Sequence, residues 1–235
     1  MSKKLYKKVK FKTREEWLRN RAFGGSSISA LFDCNPYMTK TDLYCAIVNP
    51  PKSDDDIKGH ETANTIYGKE VEDIIRELVK LNFKGKYKVI APKGYEMYVR
   101  KDKPFISATI DGRLIEENTG RKGVLEIKSY EFRGNDDLEE NWGTQPPLRY
   151  SLQTLHYLMT LNDFDFAKLV VKIRWLNYDT NEVIKEEMRY YHFERADNQA
   201  TIDEIERVET DFYENNVLTK TPPNINLDIF KESEE

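Results

Sequence analysis

Two neighbouring segments of the chain place acidic and basic side chains where they could bind a metal ion and a phosphate. Asp111 ends one apolar segment, and Glu126 and Lys128 lie in the next. Because successive side chains of a β-strand point to opposite faces, Glu126 and Lys128 would share one face while Leu125 and Ile127 face a core. A hairpin between the segments would bring Asp111 beside Glu126. Two carboxylates would then converge on one hard cation, with Lys128 next to them.

This arrangement is typical of phosphodiester hydrolysis by a divalent metal, which lowers the pKa of bound water and polarises the phosphate. Magnesium prefers oxygen ligands and keeps several waters, so we predict only Asp111, Glu126 and the backbone carbonyl of Ile127 as direct ligands, with Mn²⁺ as an alternative ion. Lys128 is predicted to position the nucleophile and to stabilise developing negative charge. Glu72, at the border of the apolar stripe of a predicted helix, is predicted to complete the shell or to hold a second metal. Either pair alone would be typical of a turn or a solvated strand face, and their combination favours a site.

The elements that must position these residues predict an α/β fold, a central mixed β-sheet flanked by helices. Over residues 14–31, capping residues predict a helix that starts near Arg14, a break at Gly24-Gly25 and a short second helix that opens at Ser26-Ser27. Helical periodicity predicts further helices near 41–48, 61–83 and 148–161, and a final amphipathic helix carrying Ile202, Ile205, Val208 and Phe212. Alternating and β-branched runs predict strands at 87–90, 95–99, 105–115, 124–130, 168–175 and 183–193. Polar loops are predicted at 49–59 and 135–145.

Length and composition favour a single soluble domain spanning residues 1–235. The chain has 235 residues, 39% of them hydrophobic and 33% charged, which suffices for a core without disulfides. No apolar run approaches the roughly 20 residues that a membrane-spanning helix needs, and the N-terminus lacks the apolar stretch of a secretory signal. Cys34 and Cys45 are expected to be reduced thiols, which is consistent with an intracellular protein.

Charge is unevenly distributed along the chain, whose net charge is −4. Residues 1–21 hold nine Lys or Arg against two Glu, and residues 203–235 hold ten acids against three bases. We therefore expect a basic N-terminal arm over residues 1–12, which could attract a polyanion locally or simply aid solubility, and an acidic C-terminal tail over residues 218–235. His60, His156 and His192 lack a Cys or His companion at metal-ligand spacing and are expected to serve packing or the surface.

Five motifs, in order between residues 17 and 159, resemble those of the YqaJ-like viral recombinases, the lambda-exonuclease family. They are Trp17-Leu18-Arg19 with Gly24-Gly25-Ser26-Ser27-Ile28 and Asn35-Pro36-Tyr37; Gly68-Lys69-Glu70-Val71-Glu72; Ser107-Ala108-Thr109-Ile110-Asp111-Gly112; Glu126-Ile127-Lys128; and Pro147-Leu148-Arg149-Tyr150-Ser151-Leu152-Gln153. The resemblance implies a restriction-endonuclease-like (PD-(D/E)XK) core. It also implies a magnesium-dependent exonuclease that degrades one strand of linear double-stranded DNA from the 5′ end, leaving 3′ overhangs for recombination by strand annealing. A single-strand annealing partner, a ring-shaped homotrimer and a phage or prophage gene acting in the bacterial cytoplasm follow from the same resemblance.

The resemblance also implies roles for individual residues. Arg19, Ser26 and Thr109 would form the pocket for the 5′-phosphate, because a guanidinium and hydroxyls are good phosphate partners. Arg21 is an alternative phosphate ligand, since it lies only two residues from Arg19. The resemblance leads us to expect serine at the position of Thr109, which retains the hydroxyl. Tyr150 and Gln153 would flank the metal site, with Gln153 close to the catalytic Lys128.

Two other interpretations remain open from the sequence. The first is another nuclease with the same core, such as an endonuclease. Some nucleases with this core need an iron–sulfur cluster, but two cysteines cannot supply its four ligands, so no such cluster is expected. The second is a catalytically inactive nuclease fold that serves as a DNA-binding or interaction module.

Overall fold

The computed structural model describes residues 3–21, 23–50, 63–133 and 141–224. The helices are α1 Arg14–Arg19, α2 Ile28–Leu31, α3 Lys40–Val48, α4 Ala63–Asn82, α5 Leu148–Thr160 and α6 Gln199–Phe212, followed by a π-helical turn at Tyr213–Val217. The strands are β1 Tyr6–Phe11, β2 Tyr87–Ile90, β3 Tyr95–Arg100, β4 Ser107–Ala108, β5 Gly112–Glu116, β6 Lys122–Arg133, β7 Phe166–Leu176 and β8 Val183–Glu194.

The strands form two sheets. A five-stranded mixed sheet has the order β2-β5-β6-β7-β8, in which only the β6–β7 pair is parallel. A three-stranded antiparallel sheet has the order β1-β3-β4. The predicted α/β fold, a central mixed sheet flanked by helices, is confirmed. The basic N-terminal segment includes β1, which lies at one edge of the smaller sheet.

The single strand predicted over residues 105–115 is wrong, because it is divided between the two sheets. β4 pairs with β3, and β5 pairs with β6. The backbone groups of Ser107, in β4, have partners outside the two sheets. Its N–H donates to the Phe23 carbonyl at 2.9 Å, and its carbonyl lies 2.9 Å from Nε2 of His156. The chain therefore leaves the smaller sheet after Ala108, and Asp111 lies immediately before β5.

The alternation of side chains along β6 is as predicted. Leu125 and Ile127 are buried against Ile75 and Val79 of α4 on one face of the sheet. Glu126 faces α5 on the other face, where the larger hydrophobic cluster lies between the sheet, α5 and α6. The α4 and α5 helices thus cover opposite faces of β6.

The apolar stripe predicted for the 61–83 helix is only partly buried. Ile75 and Val79 are buried, but Ile74 and Leu78 are 60% and 40% exposed. A helix that rests on one sheet face buries a limited arc of its surface, and Ile74 and Leu78 fall at the rim of that arc.

Several sequence predictions fall wholly or partly outside the described residues. They concern His60, most of the loop at 49–59, the first two residues of the helix at 61–83, the first part of the loop at 135–145, the first two residues of the N-terminal arm and the tail beyond residue 224. Within the described part of the chain, no helix has the length and apolar character needed to span a bilayer.

Candidate active site

The open end of the β5–β6 ladder brings Asp111 to Ile127. The ladder ends at the pair Gly112 and Leu125, so β6 continues without β5 beyond that point. The N–H of Ile127 instead donates to Oδ2 of Asp111 at 2.7 Å. Because the N–H and carbonyl of one strand residue point to the same side, the Ile127 carbonyl also faces the side on which Asp111 lies. The predicted carboxylate and carbonyl are therefore on one side of the strand.

Glu126 is the centre of a buried polar group. Its carboxylate accepts a hydrogen bond at Oε1 from Nε2 of Gln153 at 2.6 Å, and Nζ of Lys128 lies 2.6 Å from the same oxygen. Gln153 Nε2 also donates to the hydroxyl of Tyr157 at 2.8 Å. Glu126 is 1% exposed, whereas the Lys128 side chain is 24% exposed.

The electrostatics of this group call for an additional cation. Burial and the nearby Glu126 carboxylate raise the pKa of Asp111 well above its usual range. Burial also raises the pKa of Glu72, to about 6, with the Asp111 charge acting in the same direction. Burial alone would lower the pKa of Lys128, but the carboxylates of Glu126 and Asp111 outweigh it and raise that pKa to about 12. Lys128 therefore stays protonated and cannot by itself neutralise both acids.

The residues present fit a divalent metal. The second oxygen of Glu126, Oε2, is buried and has no hydrogen-bond partner, which is costly for a carboxylate unless a ligand or ion completes it. With Asp111 and the Ile127 carbonyl it makes an all-oxygen donor set of the kind that magnesium prefers. Among the described residues, no three His, Cys, Asp or Glu side chains lie together as a metal cluster. This donor set therefore consists of two carboxylates and one backbone carbonyl.

Glu72 is held by an arginine that the sequence analysis did not single out. Arg76 is 6% exposed and contacts the carboxylates of Glu72 and Asp73, while its Nε donates to the backbone carbonyl of Asp111 at 2.8 Å. Glu72 is thus close enough to act on Asp111, but its carboxylate is already paired. This arrangement favours a role for Glu72 other than direct binding of the metal held by Asp111 and Glu126.

The structure places the two candidate phosphate arginines differently. Arg19 forms an exposed i,i+4 ion pair with Glu15 at 3.2 Å. Arg21 donates from Nη2 to Oγ of Ser26 at 2.7 Å and lies over the ring of Trp17. Burial lowers the pKa of the Arg21 guanidinium, while the charge of Glu126 opposes that effect, so Arg21 is near the carboxylate site.

Thr109 lies two residues before Asp111 on the segment that joins the two sheets. In the described part of the chain no hydrogen bond joins it to Arg21 or Ser26. Tyr150, at the start of α5, lies beneath Lys128, whose Nζ is 5.5 Å from the ring centroid, and it stacks on the buried Trp142 at 5.0 Å. Tyr150 and Gln153 therefore flank the Glu126–Lys128 pair.

Gly25 allows the loop that carries Ser26 to approach α5. A Cβ at this position would lie 2.5 Å from Cε1 of Tyr157 and 3.0 Å from Cγ of Gln153. The first distance is far inside van der Waals contact, so any larger residue must displace the loop or the two side chains that support Glu126.

We predict that Gly25→Ala lowers kcat by about 100-fold, because a displacement near 1 Å in a reacting group costs about that much. Steady-state digestion of a labelled duplex measures the effect. Gly94→Ala serves as a control: its φ of 63° makes alanine strained, yet nothing lies within 4 Å of its Cβ. That variant should lose about 1 kcal/mol of stability and keep its kcat. An unchanged kcat in Gly25→Ala would contradict the prediction.

Sequence reasoning missed Arg76 and Tyr157. Both have a positional signal, since each lies four residues after a predicted site residue on the same helix, Arg76 after Glu72 and Tyr157 after Gln153. Residues four apart share a helix face, so the positions of Glu72 and Gln153 also indicate Arg76 and Tyr157.

Two carboxylates and a lysine at the open end of a ladder, in a mixed sheet flanked by helices, define the architecture of the nuclease fold. An alkaline exonuclease from Laribacter hongkongensis, LHK-Exo, shares this fold, with a TM-score of 0.57 and 15% identity over 88% of this chain and 94% of that one. Its complex with dAMP gives a TM-score of 0.56 over the same shares of the two chains, again at 15% identity.

The family follows from the sequence. Residues 16–162 match the model of the YqaJ-like viral recombinase domain, and the chain belongs to that family. No curated protein matches the chain. Family and fold together support a nuclease function.

Proposed function

We propose that this protein is a magnesium-dependent exonuclease that removes nucleotides from the 5′ ends of linear double-stranded DNA and leaves 3′ single-stranded overhangs. The observation that carries the proposal is the buried Glu126 carboxylate, bound on one oxygen by Lys128 and Gln153 and unpartnered on the other, beside Asp111. Near it, the Arg21 guanidinium donates a hydrogen bond to the Ser26 hydroxyl, and both groups are good partners for a terminal phosphate.

The chain's own residues account for most of the mechanism. When bound by Asp111, Glu126 and the Ile127 carbonyl, magnesium would supply an activated water and neutralise phosphoryl charge. Gln153 fixes the Glu126 carboxylate, and the Ile127 N–H fixes that of Asp111, so both are preorganised. Lys128 keeps its proton and places positive charge against the phosphoryl oxygens as negative charge develops.

The phosphate pocket gives the reaction its polarity. If Arg21, Ser26 and Thr109 hold the 5′-terminal phosphate, the first internucleotide bond falls at the carboxylate pair and one nucleotide is released per cycle. Arg76 supports this geometry from the other side, since it links Glu72 to the backbone of Asp111. Manganese, another oxygen-preferring ion, is expected to substitute for magnesium.

The assembly and setting are proposed from family membership. A homotrimeric ring would enclose the duplex, and a single-strand annealing protein would take up the 3′ overhang for phage-type recombination in the bacterial cytoplasm. Size-exclusion chromatography with light scattering tests the trimer, and co-purification with the annealing protein tests the partnership.

The decisive test is digestion of end-labelled duplex DNA with and without a 5′-phosphate, in magnesium and in EDTA, beside a covalently closed circle. We expect release of 5′ mononucleotides from the phosphorylated linear duplex in magnesium alone. Cutting of the closed circle would indicate an endonuclease instead. DNA binding without any magnesium-dependent hydrolysis would indicate an inactive binding module.

We predict that Arg21→Gln removes the preference for a 5′-phosphate, whereas Arg19→Gln keeps it. A hydrogen bond to a charged group contributes about 1.5–3 kcal/mol, so Arg21→Gln should lower kcat/KM on phosphorylated ends by about 10- to 100-fold and leave 5′-hydroxyl ends nearly unchanged. Arg19 is matched in charge and lies two residues away, but it pairs with Glu15 at the surface. The opposite pattern would assign the phosphate to Arg19.

A further inference from the structure

Arg149 is a cation beside the active site that has no anionic partner within the part of the chain that the structure describes. Its Nε is buried without a hydrogen-bond partner, and no carboxylate of the described residues pairs with it. Its guanidinium lies 4.6 Å from the ring centroid of Tyr150, the same ring that lies 5.5 Å from Nζ of Lys128. Both cations therefore adjoin one aromatic ring at the start of α5.

An unpartnered buried arginine nitrogen is costly, because the donor has lost water without gaining an acceptor. Most arginines of this chain avoid that cost through acids or carbonyls: Arg100 pairs with Asp102 and Glu206, and Arg195 donates to three backbone carbonyls. Arg149 differs, because its guanidinium contacts the Tyr150 ring and has no acid or carbonyl partner among the described residues. Burial raises the pKa of Cys34, and the charge of Arg149 opposes that rise, which places the two groups close together. Among the described residues, this guanidinium therefore lacks an acceptor.

The α5 helix orders the site along its axis. Tyr157 contacts the loop that carries the Arg21–Ser26 pocket, through the close approach of Gly25. Gln153, one turn earlier, binds Glu126 at the carboxylate pair. Arg149 comes one turn earlier again, and each step of four residues advances about 6 Å along a helix. Arg149 thus lies beyond the carboxylate pair, on the side away from the 5′-phosphate pocket.

We propose that Arg149 binds the internucleotide phosphate immediately 3′ of the scissile one, on the strand being degraded. Arginine suits this role, since its fork of donors matches phosphate oxygens and stays charged. With Arg21 on the terminal phosphate and Arg149 on the following one, the scissile phosphate is held from both sides. The inference rests on the proposed exonuclease function and adds a second anchoring point to it.

The experiment measures binding rather than hydrolysis, by fluorescence anisotropy with a labelled 5′-phosphorylated duplex in EDTA. In one duplex a methylphosphonate neutralises the linkage 3′ of the scissile one, and in a second the same group sits several linkages further into the duplex. For the wild-type protein we expect the first substitution to weaken binding about tenfold, as for a hydrogen bond to a charged group, and the second to have a smaller effect. Equal effects of the two substitutions would overturn the proposal without any variant.

Variants supply a double-mutant cycle on the same duplexes. In Arg149→Gln the methylphosphonate next to the scissile linkage should cause no further loss, and the salt dependence of log K should become less steep by about 0.9. Arg149→Lys should keep the salt slope and lose part of the affinity. Arg207→Gln is a matched control, since Arg207 is exposed on α6 and pairs with Glu204 and Asp211; its slope should be unchanged.

The outcomes separate this inference from the proposed function. If Arg149→Gln keeps the wild-type slope and the full methylphosphonate effect, Arg149 does not contact that phosphate, although 5′-directed hydrolysis would stand. If the wild-type protein neither binds nor degrades 5′-phosphorylated ends, the proposed function itself fails.

Discussion

Replacing Asp111 by asparagine is expected to lower nuclease activity by at least about 10³-fold, a loss typical for a group that stabilises charge in the transition state. Asparagine keeps the shape of the side chain and its carbonyl oxygen can still accept the Ile127 N–H. It removes the negative charge that, with Glu126, would hold the metal. Digestion of a 5′-phosphorylated duplex over a magnesium series measures the effect, and activity above one-tenth of wild type would contradict it.

The same variant is expected to stabilise the metal-free protein at neutral and alkaline pH. The pKa of Asp111 is raised in the folded state, chiefly by burial and next by Glu126. The folded state therefore retains a proton that the unfolded state releases above about pH 4, and stability falls as pH rises from there through the raised pKa. The asparagine side chain cannot titrate, so this fall should be reduced in the variant.

Thermal unfolding from pH 5 to 9 in EDTA tests that expectation. Asp179→Asn, at an exposed turn, is the matched control and should follow the wild-type curve. Magnesium should raise the Tm of the wild-type protein by mass action and should have little effect on Asp111→Asn. A wild-type pH profile that coincides with that of the variant would show that Asp111 ionises normally.

The second large effect is expected behind the site, at the buried pair His156 and Glu209. Both side chains are fully buried, and Nδ1 of His156 lies 2.9 Å from Oε1 of Glu209. Nε2 of the same ring lies 2.9 Å from the Ser107 carbonyl, which can only accept, so the ring donates on that side. The pair thus joins α6 to α5 and to β4. Glu209→Ala should destabilise the fold by about 3–5 kcal/mol, because it leaves a buried group without its counter-charge.

Chemical denaturation measures this loss, with Glu204→Ala on the exposed side of the same helix as the control, expected within about 0.5 kcal/mol of wild type. The pH dependence gives a second readout. Burial lowers the pKa of His156, but Glu209 outweighs it, and the net shift is upward. Stabilisation by the pair is therefore complete below about pH 6.5 and is lost as pH rises through the folded-state pKa. Glu209→Gln should flatten that dependence, and a loss under about 1 kcal/mol in Glu209→Ala would contradict the assigned pairing.

The sequence predicted those parts of the fold and site that depend on local periodicity. The alternation of Leu125, Glu126, Ile127 and Lys128 specifies which side chains face the core, because a strand has only two faces. The hairpin that brings Asp111 to Ile127 follows from the turn between two apolar runs. For these residues the structure has the predicted placement.

Long-range partners account for what the sequence could not supply. The division of the 105–115 segment depends on Phe23 and His156, which take the backbone groups of Ser107 from distant parts of the chain. Arg19 and Arg21 are equivalent in type and nearly so in position, and only the fold distinguishes a surface ion pair with Glu15 from a contact with Ser26 beside the acids. His156 was expected to be a packing residue, and its ion pair required a glutamate from a different helix to be brought beside it.

The segment from Thr109 to Asp111 ends one sheet and begins the other, and this joint has a consequence for how such proteins can diversify. The Thr109 hydroxyl, proposed for end recognition, and the Asp111 carboxylate, proposed for bond cleavage, lie two residues apart on the segment that joins the two sheets. A backbone change in this segment would move both groups together. A mutation there that alters the preference for a DNA end is therefore expected to alter metal affinity as well. Variation in substrate preference is therefore expected to accumulate at the Arg21 and Ser26 side chains, which belong to a different segment of the chain from Asp111.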